Sequence, residues 1–332
     1  MSRRGRRLVG FLVLLVAAAA LAGCDARTPS TLAPSGPRSD FTTWAGWLLF
    51  AVAGFVCLVI ITLTLLAGVF RRRTTKVKTG EGRKFVLVLG VIIPSCVFAG
   101  VFALGIFGLV AQSQPPHKPA LTIDVVGHQW WWEVHYQGTD AVTANDIHVP
   151  VGTPVQLRLQ TADVIHSFWV PQVMPKTDLL PRRINKTWLT VDHPGVFRGE
   201  CAEYCGVQHA HMDFRLVAEP RAKFQSWLQQ QEQTASTPTT SSERHGEQVF
   251  TSMSCATCHT IRGTSADGKV GPDLTHVGSR PMLAAGLIPN DTGHMSGWIA
   301  NSQAVKPGNL MPPQHLSPSD LHDVVAYLQS LK

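Results

Sequence analysis

Residues 201–212 read Cys201-Ala-Glu-Tyr-Cys205-Gly-Val-Gln-His209-Ala-His-Met212, a stretch that concentrates thiol, imidazole and thioether side chains. Thiolate and thioether ligands are soft and select copper, and imidazole is compatible with it. The four-residue spacing lets both sulfurs face one point, with His209 and Met212 one loop further on. A single blue-copper centre needs one thiolate, so the second thiolate indicates two bridged copper ions. Structural zinc is the alternative, but zinc sites use cysteine and histidine rather than methionine.

This stretch resembles the binuclear copper (CuA-type) loop of cytochrome c oxidase subunit II, Cys-x-Glu-x-Cys-x3-His-x2-Met, at every position. Residues 163–171 resemble the strand segment of that family that supplies another histidine ligand. Residues 127–132 resemble its aromatic patch, and residues 176–185 its loop against the main subunit. The resemblance extends over about residues 40–220 and implies a membrane hairpin followed by a cupredoxin-like β-sandwich or barrel.

The resemblance also implies roles for individual residues. Cys201 and Cys205 would bridge two copper ions. The copper ligand set would be completed by His166, His209 and Met212. Glu203 would ligate copper through its backbone carbonyl and offer its carboxylate to a magnesium ion at the subunit boundary. Trp130 corresponds to the residue through which electrons enter in that family.

A tryptophan that only fills the core is the alternative for Trp130. Residues 130–132 are all tryptophan, and successive side chains of a strand point to opposite faces, so at least one is expected near the surface. One position departs from the family pattern, because Leu87 stands about where a glutamate often marks the mouth of a proton path. Glu81 lies too far upstream to replace it, so that role stays unassigned.

The segment Cys255-Ala-Thr-Cys258-His259 is the attachment signature of c-type haem, in which both thiols bind the porphyrin and the imidazole binds iron. A redox dithiol or half a zinc site has the same cysteine spacing. However, residues 246–250 before the motif and 271–274 after it follow the order of a class I cytochrome c, and Pro272 fits the position beside the iron-binding histidine.

The sixth iron ligand is expected to be a methionine, because Met/His ligation raises the potential into an electron-carrier range. The candidates are Met253, Met282, Met295 and Met311. Met253 is too near the attachment site, and the next two lie early in the unit. Residues 309–313 resemble the ligand loop of class I cytochromes c, just before the last helix, so Met311 is the predicted ligand.

Two uncharged apolar runs, residues 44–70 and 85–111, are each long enough to cross a membrane as a helix. The segment between them, residues 71–84, is rich in arginine and lysine. By the positive-inside rule this loop is predicted to lie in the cytoplasm, with both chain ends outside. Pro94 is expected to kink the second helix.

Residues 1–23 are predicted to form a signal peptide, with an arginine-rich start, an apolar run and small residues at the end. Leu21-Ala-Gly-Cys24 resembles the bacterial lipobox, which predicts that Cys24 is lipidated. An ordinary cleavage site with a chance cysteine is the alternative.

The chain has 332 residues, of which 45% are hydrophobic and 15% are charged, and its net charge is +7. The excess lies in residues 3–7 and 71–84, beside apolar runs, whereas the remainder is slightly acidic. A nucleic-acid partner is therefore not expected. The seven cysteines are odd in number and include two close pairs, which argues against a disulfide framework.

The predicted organisation is that of a multi-domain membrane protein. Its parts are a signal peptide (1–23), an extracytoplasmic segment (24–43), a membrane hairpin (44–111), a copper domain with short strands (112–228), a flexible linker (229–242) and an all-α cytochrome c domain (243–332). A coil of the linker's length spans roughly 20 Å, so the haem unit is expected to swing onto Trp130 and off again without strong docking contacts.

Together these features predict the electron-input subunit of a bacterial haem–copper oxidase with a fused cytochrome c, the caa3-type arrangement. Its donor would be extracytoplasmic, such as cytochrome c or a bc1-type complex, and its partners would be membrane lipid, subunit I and other oxidase subunits. The membrane would be the bacterial plasma membrane. The alternatives are the equivalent subunit of a copper-containing nitric oxide reductase and a membrane-tethered copper-binding protein, which would have no need for haem.

Overall fold

The computed structural model describes residues 29–69, 79–115 and 117–332 of the chain. The predicted signal peptide, Cys24 and the basic residues 71–78 lie outside the described residues. Residues 31–332 form one unit by themselves, which contains both predicted cofactor domains.

The described parts of the two apolar runs form long helices, and the most apolar stretch of each helix is not covered by the rest of the chain. Helix α1 spans Pro37–Val69. The second run comprises α2 (Thr79–Leu87), a π-helical turn (Val88–Ile92) and α3 (Ile93–Gln112). The π-helical turn lies directly before Pro94, where the proline lacks the amide proton that would bond the carbonyl four residues earlier. The expected irregularity at Pro94 is therefore a change of helix type.

Helix α1 begins before the predicted apolar run because its first turn is hydrogen-bonded to the copper domain. Arg38 Nη1 donates hydrogen bonds to Thr187 Oγ1 at 2.8 Å and to the Trp188 carbonyl at 2.7 Å. The guanidinium also lies over the Trp188 ring, 5.3 Å from its centroid. Trp188 Nε1 in turn donates to the Gln112 carbonyl at the end of α3, at 2.9 Å. The start of α1 and the end of α3 are thus hydrogen-bonded to the same strand.

The copper domain is a sandwich of two five-stranded sheets, with strand orders β3-β2-β1-β5-β8 and β4-β10-β9-β6-β7. The strands are β1 (Leu121–His128), β2 (Trp131–Tyr136), β3 (Val142–Ala144), β4 (Asp146–Pro150), β5 (Val155–Thr161), β6 (His166–Val170), β7 (Met174–Leu179), β8 (Asn185–Leu189), β9 (Gly195–Cys201) and β10 (Asp213–Glu219). Buried and less buried residues alternate along β1, β2 and β5, as expected for strands with one face on the core. This confirms the cupredoxin-like sandwich.

An aromatic cluster fills the sandwich next to the predicted copper loop. Phe168 and Phe214 stack with ring centroids 4.3 Å apart, and Trp132 packs edge-on against both. Trp132 Nε1 also donates to the Met212 carbonyl at 3.4 Å. The core therefore supports the loop that carries the predicted ligands.

Helix α4 (Arg221–Glu232) closes one side of the sandwich, and the cytochrome domain follows. Its elements are α5 (Ser241–Ser252), α6 (Cys255–Cys258), the short strands β11 (Met282–Leu283) and β12 (Ile288–Pro289), α7 (Thr292–Ala300), α8 (Ser302–Val305) and α9 (Pro318–Ser330). The start of α9 matches the sequence pattern, because the Ser317 side chain accepts from the Asp320 amide at 3.1 Å and Pro318 is the first residue. Helices α5 and α9 cross closely at Gly246, where a Cβ would overlap the Asp323 carbonyl oxygen.

The segment between the two domains differs from the predicted flexible linker. Helix α4 extends to Glu232 and α5 begins at Ser241, so only residues 233–240 lie outside helices. These residues are also held on the cytochrome domain. The Ala235 amide donates to the Arg262 carbonyl, and Ser236 Oγ donates to the Ser330 carbonyl, both at 2.9 Å. Because this backbone is hydrogen-bonded, it does not act as a free coil.

Candidate copper and haem sites

The predicted copper ligands meet at one end of the sandwich. Cys201 ends β9, and its register partner Phe168 lies two residues after His166 on β6, which brings both side chains together. Cys201 Sγ lies 3.8 Å from His166 Nδ1 and 3.8 Å from Cys205 Sγ. The ligand atoms of His166, Cys201 and Cys205 all lie within 4.8 Å of one another, and all three residues are buried.

The remaining predicted ligands surround the same two sulfurs. Cys205 Sγ is 3.6 Å from His209 Nδ1 and 3.8 Å from Met212 Sδ. Cys201 Sγ is 3.2 Å from the Glu203 carbonyl oxygen. Two thiols, two imidazole nitrogens, a thioether and a carbonyl therefore face one point. This soft donor set fits a pair of copper ions.

The two thiols titrate differently because they are in contact. Their contact lowers the pKa of Cys201 and raises the pKa of Cys205 well above its usual range. One thiolate thus forms readily, whereas a second thiolate beside it is disfavoured by repulsion between like charges. Cations bound between the sulfurs would remove that repulsion, so the pair is suited to a bridged metal centre.

Asp163 orients the histidine ligand from the side away from the sulfurs. Its Oδ1 accepts a hydrogen bond from His166 Nε2 at 2.8 Å, which leaves Nδ1 facing Cys201. Burial opposes protonation of His166, but the hydrogen bonds to Asp163 and Cys201 outweigh it and raise its pKa. A carboxylate behind a ligand histidine fixes the ring orientation and increases ligand basicity.

The Glu203 side chain points away from the sulfurs. Its carboxylate is about half exposed and lies 3.4 Å from Lys176 Nζ. The backbone and the side chain of this residue therefore face different surroundings, as the predicted double role requires.

Trp130 lies between the copper loop and the cytochrome domain. Its side chain is buried, and its Nε1 donates to the Cys205 carbonyl at 3.1 Å. Gln129 Nε2 donates to the same carbonyl at 2.7 Å. Of the three consecutive tryptophans, Trp132 is fully buried and Trp131 is the least covered.

The haem-attachment motif lies on one wall of a large apolar cavity. Cys255 and Cys258 are the first and last residues of the short helix α6, and both line the cavity together with His259. His259 Nδ1 donates to the Pro272 carbonyl at 2.8 Å, so Nε2 is the nitrogen left to bind iron. Burial lowers the pKa of His259, which favours the neutral imidazole that a metal needs.

The composition of the cavity fits a covalently bound haem. Three candidate methionines line it: Met282, Met295 and Met311. Arg280 lines it too, is 9% exposed, and carries an Nε atom that is buried without a partner. An unpaired buried guanidinium nitrogen suits an anionic group at the haem edge.

Residues of the copper domain complete the same cavity. Its lining includes Gln129, Trp130, Trp131 and Asn145. The cytochrome domain is therefore docked, and the part of the lining that the copper domain contributes contains the predicted residue for electron input.

Comparisons with known proteins agree with this arrangement. Residues 139–219 match the family model described as the cytochrome c oxidase subunit II periplasmic domain, and residues 244–332 match the cytochrome c model. The chain is 33% identical to cytochrome c oxidase subunit 2 of Alkalihalophilus pseudofirmus over 97% of this chain and 96% of that protein. The chain belongs to the cytochrome c oxidase subunit 2 family. The subunit 2 protein of Bacillus subtilis is 29% identical over 97% of both chains.

A solved structure is similar to one part of the chain. The periplasmic domain of cytochrome oxidase subunit II from Bradyrhizobium japonicum is 31% identical, covers 34% of this chain and 94% of its own, and has a TM-score of 0.33. The subunit 2 match implies copper in the first domain, and the cytochrome c match implies haem in the second. The apolar helices anchor the chain in a membrane, with the copper domain outside the cytoplasm.

Three residues at or between the copper and haem sites were missed by sequence reasoning. Asp163 could have been found from its position three residues before a ligand histidine. Lys306 has no local signal, because two of its partners, the Trp130 and His211 carbonyls, lie in the other domain. Arg280 is bonded to the Asp273 carbonyl seven positions earlier, and no sequence pattern marks that contact. Lys306 is 2% exposed and lies between the copper and cytochrome domains.

Proposed function

We propose that this chain is the electron-input subunit of a bacterial haem–copper oxidase. It takes electrons from an extracytoplasmic donor at haem c and delivers them through a binuclear copper centre to subunit I. In subunit I, oxygen is reduced to water with proton pumping. The observation that carries the proposal is the shared cavity. Its lining includes His259 and Met311 from the cytochrome domain and Trp130 from the copper domain, and Trp130 is hydrogen-bonded to the backbone of the copper-loop residue Cys205.

Cys201 and Cys205 would hold the copper pair as thiolates, together with His166, His209, Met212 and the Glu203 carbonyl. When bound, this centre supplies one-electron redox chemistry. The protein contributes rigidity, because the ligands lie on β6, β9 and the loop packed over Trp132. Fixed ligand positions need little rearrangement between oxidation states.

Cys255 and Cys258 would hold the haem covalently, and His259 and Met311 would ligate its iron. The Pro272 carbonyl keeps the His259 ring in the required tautomer. Arg280 would neutralise an anionic edge group. Met311 is preferred over Met282 and Met295 because it lies in the loop directly before α9, although all three line the cavity.

The Glu203 carboxylate is proposed to hold magnesium at the boundary with subunit I. Its exposure and its contact with Lys176 support a place at the surface of this chain. The other ligands of that ion would come from the neighbouring subunit.

The names of the relatives favour an oxidase over a nitric oxide reductase. The haem-attachment motif argues against a protein that only stores or delivers copper, since such a protein has no need for haem. The proposed location is the bacterial plasma membrane, with both cofactor domains on its outer side and with cytochrome c or a bc1-type complex as donor.

The full-length oxidase with Met311→Ala tests this function. Haem is expected to stay attached, because both thiols remain, while oxygen consumption with the physiological donor falls steeply. Met253→Ala is the matched control, since Met253 is partly exposed and does not line the cavity. Unchanged oxygen consumption in Met311→Ala, or turnover of nitric oxide in preference to oxygen, would contradict the proposal.

A further inference from the structure

A buried lysine joins the two cofactor domains. Lys306 follows α8 in the cytochrome domain, and its ammonium donates three hydrogen bonds to backbone carbonyls. The acceptors are Trp130 at 2.8 Å, His211 at 2.7 Å and Ala284 at 3.1 Å. Two acceptors belong to the copper domain and one to the cytochrome domain, so all three donors of this single group are used and two of the bonds cross the interface.

The backbone around Lys306 fits closely against the copper loop. Gln208 Nε2 donates to the Pro307 carbonyl at 2.6 Å. Gly308 has a φ of +82°, and a Cβ there would lie 2.9 Å from a Val207 methyl group. Nearby, the Asp213 amide donates to the Ala285 carbonyl at 3.2 Å. The docking surface on the cytochrome domain therefore includes residues 284–286 and 306–308, and Arg262 Nη1 adds a hydrogen bond to the Asp140 carbonyl at 2.8 Å.

The same loop continues to the predicted iron ligand. The Lys306 carbonyl accepts from Asn309 Nδ2 at 2.7 Å, and Asn309 Oδ1 accepts from the Met311 amide at 2.8 Å. Lys306 and Met311 are thus held in one hydrogen-bonded turn. A shift of Lys306 on the copper domain would move the cavity wall that carries Met311.

The energetics of Lys306 point to a positioning role. A buried ammonium is costly unless its donors are satisfied, and bonds from a charged donor are stronger than neutral ones. Burial lowers the pKa of Lys306 to about 8, which still leaves it charged near neutral pH. Its partners are neutral carbonyls inside the interface, so salt in solution screens these contacts little.

We propose that Lys306 docks the cytochrome domain on the copper domain and holds the haem cavity against Trp130, so that the two domains act as a fixed pair. This inference rests on the proposed electron path. It replaces the expectation of a haem unit that swings on a flexible tether.

The test uses the complete oxidase carrying Lys306→Met, with Lys269→Met as the matched control, since Lys269 is an exposed lysine of the same domain. Haem c is reduced by a flash-activated ruthenium complex, and reduction of the copper centre is followed optically. In Lys306→Met the rate is expected to fall by about tenfold or more, because loss of a buried charged contact weakens an interface by at least that factor. Covalent haem content and the copper spectrum should stay as in the unmodified protein, and Lys269→Met should keep its rate.

Two further measurements keep the outcome clear. In the unmodified oxidase the rate should change less than about twofold when the Debye length falls from about 20 Å to about 4 Å with added salt. Amides of residues 284–286 and 207–213 should exchange hydrogen faster in Lys306→Met than in Lys269→Met. Should Lys306→Met lose its cofactors, Gln208→Ala, which removes one interface bond, should give a smaller change in the same direction.

The outcomes separate this inference from the proposed function. If the unmodified oxidase passes no electron from haem c to copper, the electron path itself is wrong. If it does so and Lys306→Met, or Gln208→Ala in its place, is equally fast with unchanged exchange, only the docking role is overturned. A rate that falls strongly with salt in the unmodified oxidase would also overturn it, because docking would then depend on exposed charges.

Discussion

Trp130 Nε1 donates a hydrogen bond to the Cys205 carbonyl at 3.1 Å, so a wall of the haem cavity is bonded directly to the backbone of a predicted copper ligand. The same carbonyl also accepts from Gln129 Nε2 at 2.7 Å. The Cys205 carbonyl thus keeps the hydrogen bond from Gln129 when the Trp130 indole is removed. The contribution of the indole to electron transfer can therefore be measured separately from the stability of the copper loop.

Trp130→Phe is therefore expected to leave copper binding intact and to slow electron transfer from haem c to copper. The substitution keeps an aromatic ring but removes the hydrogen bond to Cys205. The measurement is flash reduction of haem c followed at the copper absorption. Trp227→Phe is the control, because Trp227 of α4 stacks on His148 of β4 and does not line the cavity. Equal rates in both variants would show that Trp130 is not the residue for electron input.

Asp163→Asn is expected to weaken copper binding. Asp163 accepts from His166 Nε2 and also from the backbone amides of Gln129 and Val164, so an amide in its place loses an acceptor. Loss of such a partner typically costs about 10- to 100-fold in metal affinity. Copper retention against a chelator measures the effect. Asp192→Asn, a change at an exposed carboxylate, should retain copper normally, and equal retention in the two variants would contradict the role of Asp163.

Gly271→Ala should reduce haem incorporation. A Cβ at this position would lie 2.5 Å from His259 Cε1 and 2.8 Å from its Nδ1, so the ring would have to turn away from the Pro272 carbonyl. Covalent haem per chain is the readout. Gly297→Ala places a methyl group in open space on α7 and serves as the control. Full haem content with an unchanged spectrum in Gly271→Ala would mean that the ring position is not critical.

Asp146→Asn should change how stability depends on pH. Burial raises the pKa of Asp146 to about 6, although Arg215 and Arg280 oppose this. The folded state therefore binds this proton more tightly than the unfolded state, so stability falls as pH rises from about 4 to about 6, by up to ~3 kcal/mol. Asp146→Asn should flatten that slope in thermal unfolding midpoints, whereas Asp267→Asn, at an exposed carboxylate, should not. An unchanged slope in Asp146→Asn would assign the pH dependence to other groups.

Cys24 lies outside the described residues, and its lipidation stays a prediction from the sequence. Mass analysis of protein from native membranes should find a lipid-modified N-terminus at Cys24. Cys24→Ala is expected to alter processing more than activity, because two apolar helices already anchor the chain. An intact Met1, or an unmodified Cys24, would refute the lipoprotein assignment.

The sequence was most informative where chemistry is carried by neighbouring residues. The copper loop holds its sulfur ligands within residues 201–212, and the haem motif spans residues 255–259. The last helix was likewise readable from Ser317 and Asp320, because a helix cap is a contact between residues three apart. Patterns of this kind depend on the spacing of residues along the chain. The tertiary structure decides where such a pattern lies, but the pattern itself can be recognised from the sequence.

The relation between the domains was decided only by the tertiary structure. A coil of polar residues predicted a free tether, yet residues 233–240 are hydrogen-bonded to the cytochrome domain, and Lys306 reaches the Trp130 carbonyl across 176 positions of the chain. No local pattern marks a lysine whose acceptors are backbone carbonyls, since every residue offers one. The sequence by itself determined the two cofactor motifs and the helices, because these depend on local spacing and polarity. Packing decided that the haem cavity closes against Trp130, because that contact depends on which distant surfaces bury one another.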